Sequence, residues 1–272
     1  MKYKAIALDL DGTLTVKGKG ILPATKQILI DLAKQGVKII LASGRPTPGM
    51  YQEACDLEMD KIGGYVLSYN GANVIDFKTK ELFYNKTIEA SQVHEIYDHA
   101  KKYDLAVMTY DNTNIITEDD QDQYVIGEGK VTTMPVLKVA SFKEKIDFPV
   151  NKVLLTKTPE EAAIIVDKFK APYGDQLSIY RSSPYFIEVM ANGIDKAASL
   201  KILLEKLNID ASELIAFGDG YNDLSMIEYA GLGVAMGNSV EGVLQRANHV
   251  TLSNLEDGIY HCLKDLIAKG EL

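Results

Sequence analysis

The stretch ALDLDGTL sets two aspartates, Asp9 and Asp11, one residue apart at the end of a short apolar run. Taken alone, the pair is a strand meeting a turn, because Asp-Gly is a good turn former. Three other stretches change that reading. VKIILASGR ends a second apolar run in Ser43, Gly44 and Arg45, and ELIAFGDGYND ends a third in Asp219, Asn222 and Asp223. Lys196 opens the amphipathic run DKAASLKILLEKLNI. Clustered aspartates are costly unless something neutralises them. A hard divalent cation does so, and an oxygen-only donor set favours Mg²⁺ over a transition metal. Mg²⁺ beside a lysine, a serine hydroxyl and open backbone N–H groups makes a site for a phosphoryl group, where Asp9 could attack phosphorus. Asp11 could protonate the leaving oxygen, then take a proton from the water that hydrolyses the aspartyl-phosphate. Gly12 lets the backbone turn closely around the transferring group.

Each residue also has a plainer role. Asp219 suits a turn in Gly-Asp-Gly, and Asp223 suits the first turn of a helix, where the dipole favours an acid. Both roles are compatible with metal binding. Lys196 near a helix start runs against the same dipole, which favours a functional reading. Ser43-Gly44 could be a plain loop. Arg45 could contact substrate or pair with an acidic neighbour, and both stay open. Asn70-Gly71 reads first as a turn and second as a substrate contact. Arg181, Ser182 and Ser183 fall at a β-turn and are candidates for substrate selection. The histidines, His94, His99, His249 and His261, share no ligand-like spacing with the acids and read as surface or packing residues.

Strands must carry these groups. YKAIALDL, VKIILASG and YVLSYNGANVID read as buried strands, the last with an Asn-Gly turn. Between them, LPATKQILIDLAKQG reads as a helix with Pro23 in its first turn and Gly36 just past its end, and PTPGMYQEACDLEM turns helical after its prolines. Strand–helix alternation of this kind predicts a parallel sheet with crossover helices. Ligands bind at the carboxyl ends of such strands, where all the polar residues above fall. From residue 83 to 189 the rhythm breaks into an α+β section: SQVHEIYDHAKKY helical, DLAVMTYDNTNIIT hairpin-like, NKVLLT a strand, PEEAAIIVDKFK a helix, QLSIYRSSPYFIEVM two strands. After Asp195 the α/β rhythm resumes, with GLGVAMGN as a strand and a terminal helix over about 256–268. The expected division is therefore 1–82 with 190–272 as one unit and 83–189 as an insertion, joined by flexible segments near Asn85 and over 190–194.

Composition narrows the function classes. The chain has 272 residues, 46% of them hydrophobic and 25% charged, as in an ordinary globular protein. A net charge of −9 argues against nucleic acid as a partner. No stretch reaches the roughly 18–20 apolar residues of a membrane span, and the apolar run after Lys2 and Lys4 meets Asp9 too soon for a signal peptide. A cytoplasmic location is the expectation. Cys55 and Cys262 read as buried or half-buried thiols in a reducing compartment.

DLDGTL, SGR, the lysine of GIDKAAS and GDGYND, in that order, resemble the four motifs of the haloacid dehalogenase superfamily. The tail FGDGYNDLSMIEYAGLGVAMGNSVEGVLQRANHVTLSNLEDGI is similar to the Cof-type hydrolases of that superfamily. SYNGANVI and SSPYFIEVM extend the similarity to its YidA-like sugar phosphatases. The resemblance implies a Rossmann-like core with an inserted α+β cap, and hydrolysis of small phosphorylated metabolites, with sugar phosphates as the expected class. Asp9 then matches the nucleophile and Asp11 the general acid/base. Asp9, Asp219 and the backbone carbonyl of Asp11 match the Mg²⁺ ligands, with Asp223 supporting the metal. Ser43 with Gly44, Lys196 and Asn222 match the phosphate-holding groups, and Arg45, Asn70 and Arg181 are possible substrate contacts. A monomer or weak homo-oligomer is expected. Two alternatives stay open: a phosphohexomutase of the same superfamily, and a non-enzymatic phospho-accepting sensor, for which the paired acid Asp11 would have no purpose.

Overall fold

The computed structural model describes residues 2–272. The chain forms two compact units, one from the segments before Asn85 and after Ile194, the other from Asn85–Ile194. The observed divisions lie two and five residues later than the sequence reading places them. The later division follows from pairing, since the strand Phe186–Ala191 runs antiparallel to Lys152–Thr156 inside the second unit.

In the first unit an eight-stranded sheet has the order His249–Val250, Leu232–Ala235, Leu214–Gly218, Ala5–Leu8, Lys38–Ala42, Tyr65–Ser68, Asn73–Asp76, Leu82–Asn85. The first six strands run parallel, and Asn73–Asp76 returns antiparallel to Tyr65–Ser68. YVLSYNGANVID is thus two strands rather than the single one expected, and the sheet is not purely parallel. The reversal comes from Tyr69, Asn70 and Gly71, all with positive φ (51°, 53° and 102°). At Gly71 a side chain is also excluded by space, because a Cβ would lie 2.5 Å from the Ser199 hydroxyl.

The central strand alternates between two cores, as a strand buried on both faces must. Ile6 and Leu8 pack with Leu29, Leu32, Leu263 and Leu266, contributed by the helices Pro23–Lys34 and Gly258–Ala268. Ala5 and Ala7 face Leu200, Leu203 and Leu204 of the helix Lys196–Leu207. That helix carries Lys196 at its start, next to the carboxyl end of the sheet. Its cap is Asp195, whose side chain accepts from the Ala198 N–H.

The second unit is a six-stranded mixed sheet, ordered Val136–Lys138, Ile115–Thr117, Ala106–Tyr110, Lys152–Thr156, Phe186–Ala191, Leu177–Ser183. The helices Ala90–Lys101 and Pro159–Lys170 give Val93, Ile96, Ala162 and Phe169 to a core with Val107, Val153, Leu155, Ile187 and Val189. The opposite alternation carries a buried ion pair, Lys152 Nζ to Glu188 Oε1 at 3.3 Å, with the Tyr180 hydroxyl donating to Glu188 Oε2 at 3.0 Å. Among the described residues no helix is long and apolar enough to cross a membrane.

Candidate active site

Asp9 follows directly on the strand Ala5–Leu8, and its N–H still donates to the Phe217 carbonyl of the neighbouring strand at 3.0 Å. The sheet therefore fixes its backbone while its side chain is released at the carboxyl edge. One strand over, Asp219 follows Leu214–Gly218, and a single turn carries the chain to Asp223. Asp9, Asp219 and Asp223 each offer a carboxylate oxygen within 4.8 Å of the others.

Lys196 lies between two of these acids. Its Nζ donates to Asp9 Oδ1 at 2.7 Å and to Asp223 Oδ1 at 2.6 Å. The other oxygen of Asp223, Oδ2, accepts the N–H groups of Asp219 and Gly220 at 3.0 and 2.9 Å. Asp223 thus ties the lysine to the loop that bears Asp219. Asp219 Oδ1 accepts the hydroxyl of Thr13 at 2.6 Å. Gly12, at φ +90°, is where the turn passes closest, because a Cβ there would lie 2.4 Å from Asp219 Oδ2.

The electrostatics follow from burial. Desolvation raises the pKa of the Asp9 carboxyl, the Asp223 charge raises it further, and the contact with Lys196 offsets only part. Desolvation likewise raises Asp219 to about 6 against the hydrogen bond from Thr13. Burial pulls the Lys196 ammonium down, but Asp223 and Asp9 more than reverse that and hold it charged. One buried cation among three carboxylates leaves negative charge in excess, and the donor set is entirely hard oxygen. That combination fits a divalent cation of the Mg²⁺ kind.

The phosphate-side candidates gather on the next strand. Ser43 is buried just after Lys38–Ala42, and its hydroxyl accepts the Arg45 N–H at 3.2 Å. Its N–H and carbonyl are engaged by Leu67 and Asn70, both at 2.9 Å. A Cβ on Gly44 would lie 3.2 Å from Asn70 Oδ1, and the Asn222 amide donates to that same oxygen at 3.3 Å. Asn70 is therefore both the expected turn and a neighbour of the site. Arg45 takes the second of its two open roles: its guanidinium is paired with Asp11 and Glu53. Asp11 itself is exposed.

Arg181 belongs to the second unit, where its Nη1 lies 3.5 Å from the Pro159 carbonyl and 3.4 Å from that of Pro184. His94 bonds the Ile146 carbonyl at 2.8 Å, and His99 stacks on Phe169 at 4.5 Å between ring centroids. Cys262 is buried but Cys55 is exposed, contrary to expectation. It lies on the outward face of the helix Tyr51–Asp56, whose Ala54 faces the core.

Three contributors escape the sequence reading. Thr13 was visible inside DLDGTL, where a hydroxyl four residues after Asp9 could have been matched to an acid. Glu53 carries no local signal. Asn238, whose amide donates to the Gly12 carbonyl at 2.8 Å, lies 226 residues from its partner, at the end of GLGVAMGN, which reads only as a strand.

The haloacid dehalogenase-like hydrolase family matches residues 6–263. The chain belongs to that family. A haloacid dehalogenase-like hydrolase from Bacteroides thetaiotaomicron is 40% identical, with a TM-score of 0.94 over 97% of this chain and 100% of its own. The subclass IIB sugar phosphatase BT4131 is 25% identical, with a TM-score of 0.78 over 99% and 100% of the two chains. The 5-amino-6-(5-phospho-D-ribitylamino)uracil phosphatase YitU of Bacillus subtilis is 29% identical over 96% of both. With phosphatases matched along nearly the whole length of each partner, this haloacid dehalogenase-like hydrolase is a phosphatase.

Proposed function

We propose that the enzyme is a Mg²⁺-dependent phosphatase of small phosphorylated metabolites of the sugar-phosphate class, acting through an aspartyl-phosphate on Asp9. The observation that carries this reading is the placement of Asp9. It is a carboxylate fixed by the sheet at the strand edge, 2.7 Å from a buried lysine and grouped with two further carboxylates. The substrate class draws on two relatives, one named a sugar phosphatase and one for a phosphate ester on a ribityl chain. Both names describe a phosphate on a polyhydroxylated carbon chain.

In this reading a carboxylate oxygen of Asp9 forms a bond to phosphorus as the ester P–O bond breaks, and Asp11 gives its proton to the departing alkoxide. Water then attacks the same phosphorus and its proton returns to Asp11. Inorganic phosphate leaves, and the Asp9 carboxylate is restored. Lys196 orients Asp9 and balances charge as the phosphoryl oxygens approach. Ser43, the Gly44 backbone and Asn222 hold those oxygens. Asp9, Asp219 and the Asp11 carbonyl would hold Mg²⁺, and Asp223, with both oxygens already engaged, supports them through the Asp219 loop. The ion would screen the repulsion between carboxylate and phosphate. The Asn85–Ile194 insertion is assigned the role of a cap that selects the leaving group, with Arg181 among its candidate contacts. A reducing, cytoplasmic setting belongs to the same proposal, and two free cysteines support it.

Asp9→Asn tests the core of the proposal. The variant should keep its circular dichroism spectrum and lose hydrolysis of p-nitrophenyl phosphate entirely. Full turnover by that variant would remove Asp9 as nucleophile. A wild-type screen over sugar, nucleotide and cofactor phosphates tests the substrate class, and a preference for nucleotides would overturn it.

A further inference from the structure

Arg45 ends the second motif, yet none of the steps above uses it. Its backbone is held at both ends, the N–H by the Ser43 hydroxyl at 3.2 Å and the carbonyl by the Tyr69 N–H at 2.9 Å. Its guanidinium is held as well. Nη1 donates to the Gly49 carbonyl and to Glu53 Oε1, both at 3.1 Å. The remaining edge of the fork faces Asp11, with Nε donating to Oδ2 at 2.8 Å and Nη2 to Oδ1 at 2.5 Å.

The two partners differ in freedom. The Arg45 side chain is 14% exposed and that of Asp11 is 55% exposed. An aspartate so exposed would ordinarily exchange among rotamers, whereas a planar two-bond fork fixes both position and plane of a carboxylate. The anchor on the far side is unusual in its own right. Glu53 is as buried as Arg45, and its Oε2 is buried with no hydrogen-bond partner among the described residues. A buried carboxylate oxygen without a partner is destabilising, so the arrangement is not a chance surface pair. A phosphate-binding role would call for a free fork on Arg45, and the face of the fork is spent on Asp11.

We propose that Arg45, anchored by Glu53 and the Gly49 carbonyl, is a positioning residue that holds the Asp11 carboxylate in the orientation from which it transfers its proton. This rests on the reading of Asp11 as general acid/base. The step it serves is departure of the alkoxide: Asp11 enters it protonated on an oxygen lone pair that the fork leaves open, the ester P–O bond breaks, that proton moves to the leaving oxygen, and Asp9 gains the phosphoryl group.

The test compares leaving groups in the full-length enzyme. p-Nitrophenolate leaves without a proton and an alkoxide does not, and kcat/KM covers the steps up to that departure. The comparison therefore takes p-nitrophenyl phosphate and an alkyl phosphate that the wild type hydrolyses, with Asp11→Asn, Arg45→Met, Arg45→Lys and Glu53→Gln. A positioned acid contributes roughly 10²–10⁴-fold, so Arg45→Met should lower kcat/KM for the alkyl ester by about 10–100-fold while the aryl ester stays within about threefold. Arg45→Lys keeps the charge but not the fork and should recover part of the loss. Glu53→Gln should show the same selectivity in smaller degree. A uniform loss on both esters, or a higher KM for both at unchanged kcat, would overturn the proposal in favour of a fold or substrate-contact role. A faster alkyl reaction in Arg45→Met would overturn it too, by showing that the fork restrains Asp11 away from the reaction. If Asp11→Asn itself fails to separate the two esters, the acid/base reading falls and the proposal with it. If Asp11→Asn separates them and Arg45→Met does not, only the positioning role falls.

Discussion

Lys196 stands in the first turn of a helix, where the positive end of the macrodipole disfavours a cation, and its side chain is fully buried. Such a charge persists only when paired, and the carboxylates at 2.7 and 2.6 Å are what pair it. Its removal would leave Asp9 and Asp223 facing each other without compensation. Lys196→Met should therefore lower kcat by about 10²–10³-fold, the scale on which a preorganised charge-stabilising donor acts. Urea denaturation should show a loss of about 3–5 kcal/mol, the usual cost of breaking a buried pair. An unchanged kcat beside the stability loss would confine the lysine to the fold. The lysine and the aspartates were legible because each ends an apolar run or opens a helix, so a one-dimensional pattern already gives their edge of the sheet. The task of Arg45 was not legible. Its anchor Glu53 is eight residues away across a 3-10 turn and a helix start, and no periodicity marks that contact.

Among the elements, those whose faces carry a strong pattern were the ones foreseen. Pro23–Lys34 begins and ends where its proline and Gly36 place it, and NKVLLT, PEEAAIIVDKFK and the Ser-Ser-Pro hairpin all form. The helix Gln123–Thr132 was not foreseen. It contains two glycines and threonine at its end, and it is held by its Asp122 cap, whose side chain accepts from Tyr124 and Val125. The double reversal at Tyr69–Asn70 was also hidden, because non-glycine residues seldom take positive φ and tertiary contacts decide when they do. Within the second unit, Lys152 and Glu188 sit on adjacent strands at opposed alternation to the apolar core. Lys152→Met would strand Glu188 with Tyr180 as its remaining bonded partner in the sheet, and should destabilise the protein by about 3–5 kcal/mol in urea. The double variant with Glu188→Leu should regain much of that loss. If the single variant is as stable as the wild type, the pair has no part in holding this sheet.

For the molecule as a whole, the site's excess negative charge links stability to pH and to metal. An acid whose pKa is raised by folding favours the fold while protonated. Its contribution is complete below the unfolded value of 3.8 and is lost as pH rises through the folded value, about 6 for Asp219. Asp9, also raised, acts in the same direction. The metal-free enzyme should therefore lose stability from this source as pH climbs from about 4 to beyond about 6. In the proposed site Mg²⁺ binds the ionised carboxylates, so at roughly 100 times its Kd it should stabilise the fold by about 2.7 kcal/mol, and the rise in melting temperature should be larger near pH 7.5 than near pH 5. Scanning fluorimetry at the two pH values checks this, and an equal response at both would separate the ion from these acids.

The pairing of Ala5–Leu8 with Leu214–Gly218 has a temporal side. Ala5 and Leu214 are register partners although 209 positions separate them. During synthesis at roughly 5–20 residues per second, the first strand must wait about 10–40 s before its neighbour emerges. For that interval it offers one unpaired ladder edge, while Asn85–Ile194, a single continuous run, can complete its own sheet. Nascent chains of this enzyme are thus exposed to strand mispairing at Ala5–Leu8 for much of their time on the ribosome.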